Sequence, residues 1–278
     1  MAGERHGESV IHLDVAGRSD KGRVRTGNED RYFIGVLEKN IVTKDSNLDV
    51  TEAISEFAHV DAHMLVVADG VGGSALGHRA SQSAVFALAT YIGRAAVCQY
   101  DPDVEQEEAF LQRLEEALHR AHDVVRSLST TGSHPATTLT MALVIGARAY
   151  IAHAGDSRAY IMRGSRLRQI TRDQTMSAML SDAGLSHDPH GENHLGGILA
   201  SALGGSTMIP SISLVDVAPG DALLLCTDGL TKHVPDDRIA ERLTSGKTAE
   251  QICSSLVDAA LAAGGTDNLS VIVGRIRE

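Results

Sequence analysis

Acidic residues stand beside apolar, strand-like segments at five places in the chain, and this pattern favours metal chemistry. A carboxylate at the end of a buried strand is partly desolvated, and an ionised carboxylate is costly to bury without a partner. If the five segments converge, their charges repel one another unless cations lie among them. Ligand sets made only of oxygen favour Mg²⁺ or Mn²⁺. The candidate ligands are Glu29, Asp30, Asp69, Asp156, Asp228 and Asp267.

Such a site predicts hydrolysis of a phosphoester. Two divalent ions about 3.5–4 Å apart can share a water molecule, lower its pKa and present it as hydroxide to a phosphorus atom. Gly70 follows Asp69 and has no side chain, so its carbonyl or a substrate can come close. The nearby cations that could pair with the acids are Arg25 and Arg158.

Each acidic segment taken alone is more typical of a turn than of a ligand, because Asp and Gly are favoured turn residues. The sequence GDSR at 155–158 would then be a hairpin loop, and TDN at 266–268 an ordinary approach to a strand. Only the joint occurrence of the five segments favours a site.

The helices and strands predicted to position these acids are grouped along the sequence, several of one kind following each other. Residues 17–22 indicate a turn, and residues 38–62 an irregular surface excursion. Because strands and helices do not alternate strictly, the predicted fold class is α+β, with mainly antiparallel sheets and helices outside. Apolar periodicity predicts strands at 11–16, 31–36, 63–69, 137–145, 149–153, 159–162, 166–170, 212–217, 222–227 and 269–273, and helices at 79–95, 110–128, 175–183, 236–244 and 248–262.

Composition excludes several classes of function. The 278 residues include 25 basic and 36 acidic ones, a net charge of −11, which argues against nucleic-acid and anionic-membrane binding. No apolar run reaches the length of about 18 residues that a membrane-spanning helix needs. The first ten residues lack a signal-peptide core, and the three cysteines form no C-x-x-C pair. We therefore expect a cytoplasmic protein.

The ordered motifs resemble those of the protein phosphatase 2C family, the metal-dependent protein serine/threonine phosphatases, in its bacterial form. Any one motif is weak evidence, but eight of them follow in the family's order along nearly the whole chain. They are GRVRTGNED (22–30), VADGVGG (67–73), ATT (136–138), AGDSRAY (154–160), TRDQT (171–175), ALG (202–204), LCTDGL (225–230) and TDN (266–268).

The resemblance implies a four-layer α-β-β-α sandwich with two sheets packed face to face. It implies a flexible N-terminus at residues 1–8 and a single phosphatase domain at 9–278. A flap-like loop is expected at about 175–200. The metal centre would lie at one end of the sandwich.

The resemblance also assigns metal ligands. Asp69 would bridge two ions. Asp228 and Asp267 would complete the coordination of one, and Glu29 with the carbonyl of Gly70 that of the other. The implied cofactors are two, or with a third site three, Mg²⁺ or Mn²⁺ ions.

Three further roles follow from the same resemblance. Asp30 would hold metal-bound water, and Asp156 with Asp228 would bind the third, weaker ion. Arg25 would grip the substrate phosphate, for which a planar guanidinium is suited. The expected catalytic residues are Asp69, Asp228 and Arg25. Water or hydroxide bridging the metals would attack phosphorus without a covalent enzyme intermediate.

The chain departs from the family pattern at a few positions. Val71 stands where many eukaryotic members carry a histidine, which removes an obvious general acid. Ser74 and His78 replace the usual His and Glu at a helix entry, and the usual basic residue of the flap is absent. Asp173 is a further candidate for the metal cluster. The loop histidines are expected to be solvated: His187, His190 and His194.

The predicted function is hydrolysis of phosphoserine and phosphothreonine in proteins. The expected partners are phosphorylated protein substrates and an opposing Ser/Thr kinase, with neither nucleic acid nor membrane, and the chain is expected to be a monomer. Two alternatives stay open: a catalytically weak regulatory member of the same fold, and a hydrolase of small phosphoesters.

Overall fold

Two antiparallel sheets and the helices around them form the described part of the chain. The structure is a computed structural model that describes residues 12–37, 41–47, 62–72, 75–96, 104–185 and 197–277. Its strands are β1 (His12–Asp20), β2 (Arg31–Leu37), β3 (Ile41–Ser46), β4 (Ala62–Ala68), β5 (Gly70–Val71), β6 (Ala136–Thr137), β7 (Leu139–Ile145), β8 (Arg148–Ala154), β9 (Arg158–Arg163), β10 (Arg166–Gln169), β11 (Ser211–Asp216), β12 (Ala222–Cys226) and β13 (Leu269–Arg277). Its helices are α1 (Ala75–Tyr91), which continues into a π-helical turn at Ile92–Ala96, α2 (Val104–Ser127), α3 (Met176–Asp182), α4 (Asp228–Thr231), α5 (Asp236–Leu243) and α6 (Ala249–Ala262).

The strands are ordered β1-β13-β12-β9-β10 in one sheet and β11-β8-β7-β4-β2-β3 in the other. β5 and β6 form a small separate ribbon. None of the helices in the described ranges is both long and apolar enough to cross a bilayer.

Both faces of the central strands are buried, which explains their nearly continuous apolar sequences. In β4, Met64 and Val66 pack in the layer with α1 and α2, whereas Leu65 and Val67 pack between the sheets. β12 alternates in the same way, with Leu224 facing the layer of α5 and α6. The four-layer α-β-β-α sandwich predicted from the sequence is confirmed.

Strand pairing brings the acidic segments to one end of the sandwich. Arg31, which follows Asp30, is paired with Ala68, which precedes Asp69. In the other sheet Cys226, which precedes Asp228, is paired with both Arg158 and Val271, near the start of β9 and of β13. Antiparallel pairing therefore places the end of one strand beside the beginning of the next at this single edge.

The turn predicted at 17–22 is wrong over its first four residues, because β1 continues to Asp20. Its residues pair one for one with β13, from His12 opposite Arg277 to Asp20 opposite Leu269. Polar residues at this edge strand hide the strand pattern. A side chain at Gly17 would have its Cβ 2.6 Å from the ring of Tyr32, so glycine allows the close packing.

The irregular excursion predicted at 38–62 is also wrong in part. Ile41–Ser46 form an edge strand that pairs with β2, with a register shift between Ile34 and Gly35. The bulge interrupts regular alternation, which explains why the pattern was weak. Outside the described residues lie 48–61, the predicted flexible terminus 1–8, and 186–196, which carry the three loop histidines.

We predict that Gly17→Val lowers the free energy of unfolding by about 1–3 kcal/mol, because the added atoms overlap Tyr32 in a filled layer. Denaturant unfolding monitored by circular dichroism measures the change. The control is Gly27→Ala, since a Cβ there meets no atom within 4 Å. Equal stability of the two variants would contradict the close packing of Gly17.

Candidate metal centre

A cleft of about 440 Å³ opens at the edge of the sandwich where the acidic segments meet. Leu199, Ala200 and Ser201, from the segment that replaces the usual basic flap residue, line its other side. Asp30 lies beneath the cleft and is completely buried. The structure thus brings together all the acids singled out in the sequence, and the cleft itself is lined by Arg25, Glu29, Asp69, Gly70, Asp156, Asp228, Lys232 and Asp267.

Two threonines of the ATT motif hold the backbone of Asp69. The Thr138 amide and the Thr137 hydroxyl both donate to the Asp69 carbonyl, at 2.9 and 2.8 Å. The Asp69 amide donates to the Thr138 hydroxyl at 3.0 Å. The same hydroxyl lies 2.7 Å from that of Ser157, which follows Asp156. A side chain therefore joins the segments of two candidate ligands.

Asn268 fixes the segment that carries Glu29. The Glu29 amide donates to Asn268 Oδ1 at 2.8 Å, and the Asn268 amide group donates to the carbonyl of Gly27 at 2.9 Å. The Ser81 hydroxyl of α1 donates to the Glu29 carbonyl at 2.5 Å. A methyl group at Gly77 would overlap the Glu29 carboxylate. The first turn of α1 thus lies directly against this carboxylate.

The buried Asp30 is held by a residue from the other sheet. The Thr227 hydroxyl donates to Asp30 Oδ2 at 2.7 Å and accepts from the Ser270 amide at 2.9 Å. Within the described residues, Asp30 Oδ1 and Asp228 Oδ1 are buried and have no hydrogen-bond partner. Orphaned buried oxygens of this kind call for a further donor or a cation.

Burial and mutual repulsion perturb the acids of the cleft. Burial raises the pKa of Asp30 to about 7. Burial, followed by the Asp228 charge, raises the pKa of Asp156 to about 7. Burial also raises the pKa of Asp69 well above its ordinary value, with added repulsion from Asp30, Asp228, Asp156 and Asp267. A bound cation would relieve this repulsion and favour the ionised carboxylates.

The donor set suits a hard divalent cation, since carboxylates and Gly70 line the cleft, and one carboxylate oxygen each of Asp30 and Asp228 has no hydrogen-bond partner within the described residues. In these side-chain positions, however, no three His, Cys, Asp or Glu residues of the described ranges form a ready-made group for one ion.

Two basic side chains form ion pairs with the acids of the cleft. Arg25 Nε lies 2.8 Å from Asp267 Oδ1.

The second basic residue, Lys232, was missed by the sequence analysis. Its Nζ lies 2.6 Å from Asp228 Oδ2 and 2.9 Å from Asp267 Oδ2. Burial alone would raise the pKa of Asp267. Hydrogen bonds from Lys232 and Arg25 outweigh burial and keep this pKa below its ordinary value. A signal was present, because Lys232 follows Asp228 by four residues, the spacing of neighbours on a helix.

Arg158 and Asp173 pair with each other beside the cleft. Arg158 donates to both carboxylate oxygens of Asp173, at 2.7–3.1 Å, and Gln169 donates to the same carboxylate at 2.9 Å. The structural ion pair considered for Arg158 is therefore present. Val71 lines the cleft beside Gly70, whereas His78 lies in α1 and is not among the lining residues.

The sequence model of protein phosphatase 2C matches residues 41–269. The serine/threonine protein phosphatase PstP of Mycobacterium tuberculosis is 31% identical over 271 residues, which are 96% of this chain and 46% of PstP. The chain thus spans about half the length of that relative. Protein phosphatase PhpP of Streptococcus pneumoniae is 33% identical over 218 residues, covering 77% of this chain and 86% of PhpP.

A solved structure agrees with these relatives. The catalytic domain of the phosphatase PstP, in complex with two manganese ions, superposes with a TM-score of 0.72 at 29% identity. The match covers 97% of this chain and 100% of that domain. Since the family's sequence model spans most of the chain and the sandwich is the same, the chain belongs to the protein phosphatase 2C family.

Proposed function

We propose that the protein is a metal-dependent phosphatase that hydrolyses phosphoserine and phosphothreonine in proteins, with Mg²⁺ or Mn²⁺ as its cofactor. One observation carries the proposal: acids up to about 240 residues apart in sequence, such as Glu29 and Asp267, line a single cleft. Family membership supports the reaction, and the two manganese ions in the PstP catalytic domain support the cofactor.

In this proposal five groups hold two ions. Asp69 would contribute to both ions, Asp228 and Asp267 would hold one of them, and Glu29 with the Gly70 carbonyl would hold the other. The backbone contacts of Asp69 and Glu29 support these roles, because they fix both segments before any ion arrives. When bound, such ions lower the pKa of water and neutralise phosphate charge.

Two more acids extend the site. Asp156 would join Asp228 in holding a third, weaker cation, and the raised pKa of Asp156, caused by burial and by the Asp228 charge, supports this role. Asp30 is a buried acceptor with one oxygen free of hydrogen bonds among the described residues, so it would hold a water molecule bound to the metal.

Arg25 is the proposed phosphate-binding residue. Its side chain is 54% exposed at the cleft, and its Nε lies 2.8 Å from Asp267 Oδ1. A guanidinium carries several N–H donors in one plane, so Arg25 could donate to two oxygens of a phosphate group. Asp267 orients this fork, so the residue that binds substrate is positioned by a proposed metal ligand.

We further propose a single domain over 9–278 that acts as a monomer in the cytoplasm on products of a Ser/Thr kinase. The buried, unpaired thiols of Cys226 and Cys253 support a reducing compartment. The open cleft supports a macromolecular substrate, since phosphorylated side chains project from protein surfaces.

We predict that Asp69→Asn lowers the rate of phosphopeptide hydrolysis at least about 100-fold. Mutation of a residue that only hydrogen-bonds to a metal ligand typically costs about 10- to 100-fold in activity, and the loss of a ligand itself should cost more. Phosphate release with Mn²⁺, and with chelator for the wild type, measures this. The control is Asp258→Asn on the exposed face of α6, which should retain activity. Full activity of Asp69→Asn without metal would contradict the mechanism.

We predict that Arg25→Ala raises KM about ten- to hundredfold while kcat changes less, because hydrogen bonds to the charged phosphate are lost. Steady-state kinetics on a phosphopeptide gives both constants. The matched control is Arg23→Ala, since Arg23 donates to the Leu261 carbonyl and is absent from the cleft lining. An unchanged KM would remove Arg25 from phosphate binding.

Substrate comparison separates the remaining functions. We predict a higher kcat/KM for a phosphothreonine peptide than for a sugar phosphate. The open cleft can admit a phosphorylated side chain while the rest of the peptide stays outside, and it does not enclose a small molecule. A preference for the sugar phosphate would indicate a small-molecule hydrolase. Mn²⁺ binding by calorimetry without turnover of either compound would indicate a regulatory member.

A further inference from the structure

The ammonium group of Lys232 lies between two acids of the cleft. It is within 2.6 Å of Asp228 Oδ2 and 2.9 Å of Asp267 Oδ2, close enough for a charge-assisted hydrogen bond to each. Lys232 follows the last residue of α4, and the single turn of that helix returns its side chain over Asp228, where the helix begins. The geometry is therefore set by local backbone structure.

The same two carboxylates are those to which the proposed function assigns one ion. Oδ2 of each carboxylate pairs with the Lys232 ammonium, whereas Oδ1 of Asp267 pairs with Arg25. A lysine ammonium is a compact point charge on a flexible stem, so it can occupy a cation position and leave it again. The side chain is 44% exposed, which gives it a path towards solvent.

We infer that Lys232 is an internal competitor for the metal ion at Asp228 and Asp267. It neutralises the pair when the cleft is free of metal and must swing away when the ion binds. The inference rests on the proposed metal ligands. Its consequence is that Lys232 lowers the affinity of this position for metal and stabilises the metal-free protein.

Calorimetric titration of Mn²⁺ into the wild type and Lys232→Met tests the competition. We expect Lys232→Met to bind Mn²⁺ about five- to thirtyfold more tightly at one position, as the loss of an opposing interaction of one or two kcal/mol requires. Its unfolding temperature without metal should fall, and the rise on adding Mn²⁺ should be larger than for the wild type.

Arg238→Met is the matched control, because it removes one positive charge from an exposed pair with Glu241 on α5. It should bind Mn²⁺ as the wild type does. Equal Mn²⁺ affinity of Lys232→Met and Arg238→Met would overturn the inference and leave the proposed function intact. Absence of Mn²⁺ binding by the wild type would overturn the proposed function itself.

Amine labelling of the wild-type chain decides the question independently of any variant. Acetylation followed by mass spectrometry should show Lys232 protected without metal and more reactive with Mn²⁺, since the ion displaces the ammonium. Lys247, which lies before α6 away from the cleft lining, should not change. Equal labelling of Lys232 in both conditions would overturn its displacement.

Discussion

Repulsion between carboxylates that are crowded at one buried edge is the constraint on which the rest of this structure depends. Burial and the charges of its acidic neighbours raise the pKa of Asp69. One carboxylate oxygen of Asp30 has no hydrogen-bond partner in the described residues. Such a group is stable only if other parts of the fold hold it together and cations neutralise it. The sandwich supplies the first condition, and basic side chains or metal ions supply the second.

Neutral residues beside the acids hold the acidic segments in place through hydrogen bonds. Thr138 joins the segments of Asp69 and Asp156, and Thr227 spans from the end of β12 to Asp30 before β2. Hydroxyl groups suit this task because they donate and accept without adding charge to the cluster. Each motif therefore combines an acid of the proposed metal site with a neutral neighbour that fixes the segment carrying the acid.

Much of this was predictable from sequence, and the failures have physical causes. The strands that precede Asp69 and Asp228, β4 and β12, are buried on both faces, so their apolar runs predict strands without ambiguity. β3 and the second half of β1 are edge strands, in which polar residues and a bulge weaken the periodicity. The spacing of Lys232 and Asp228 indicates one of the two contacts of this lysine, whereas its contact to Asp267 depends on tertiary structure and has no local sequence signal.

The contact between α1 and Glu29 links this edge to the interior. Gly77 presents bare backbone to the carboxylate, so no side chain can absorb a shift of the helix. The helix itself is anchored by apolar residues such as Val85 and Leu88, well along its length from the cleft. Thermal softening of that hydrophobic layer would therefore displace Glu29, a proposed metal ligand, before the sheets separate, and the working temperature range of the protein would be narrower than the range over which it stays folded.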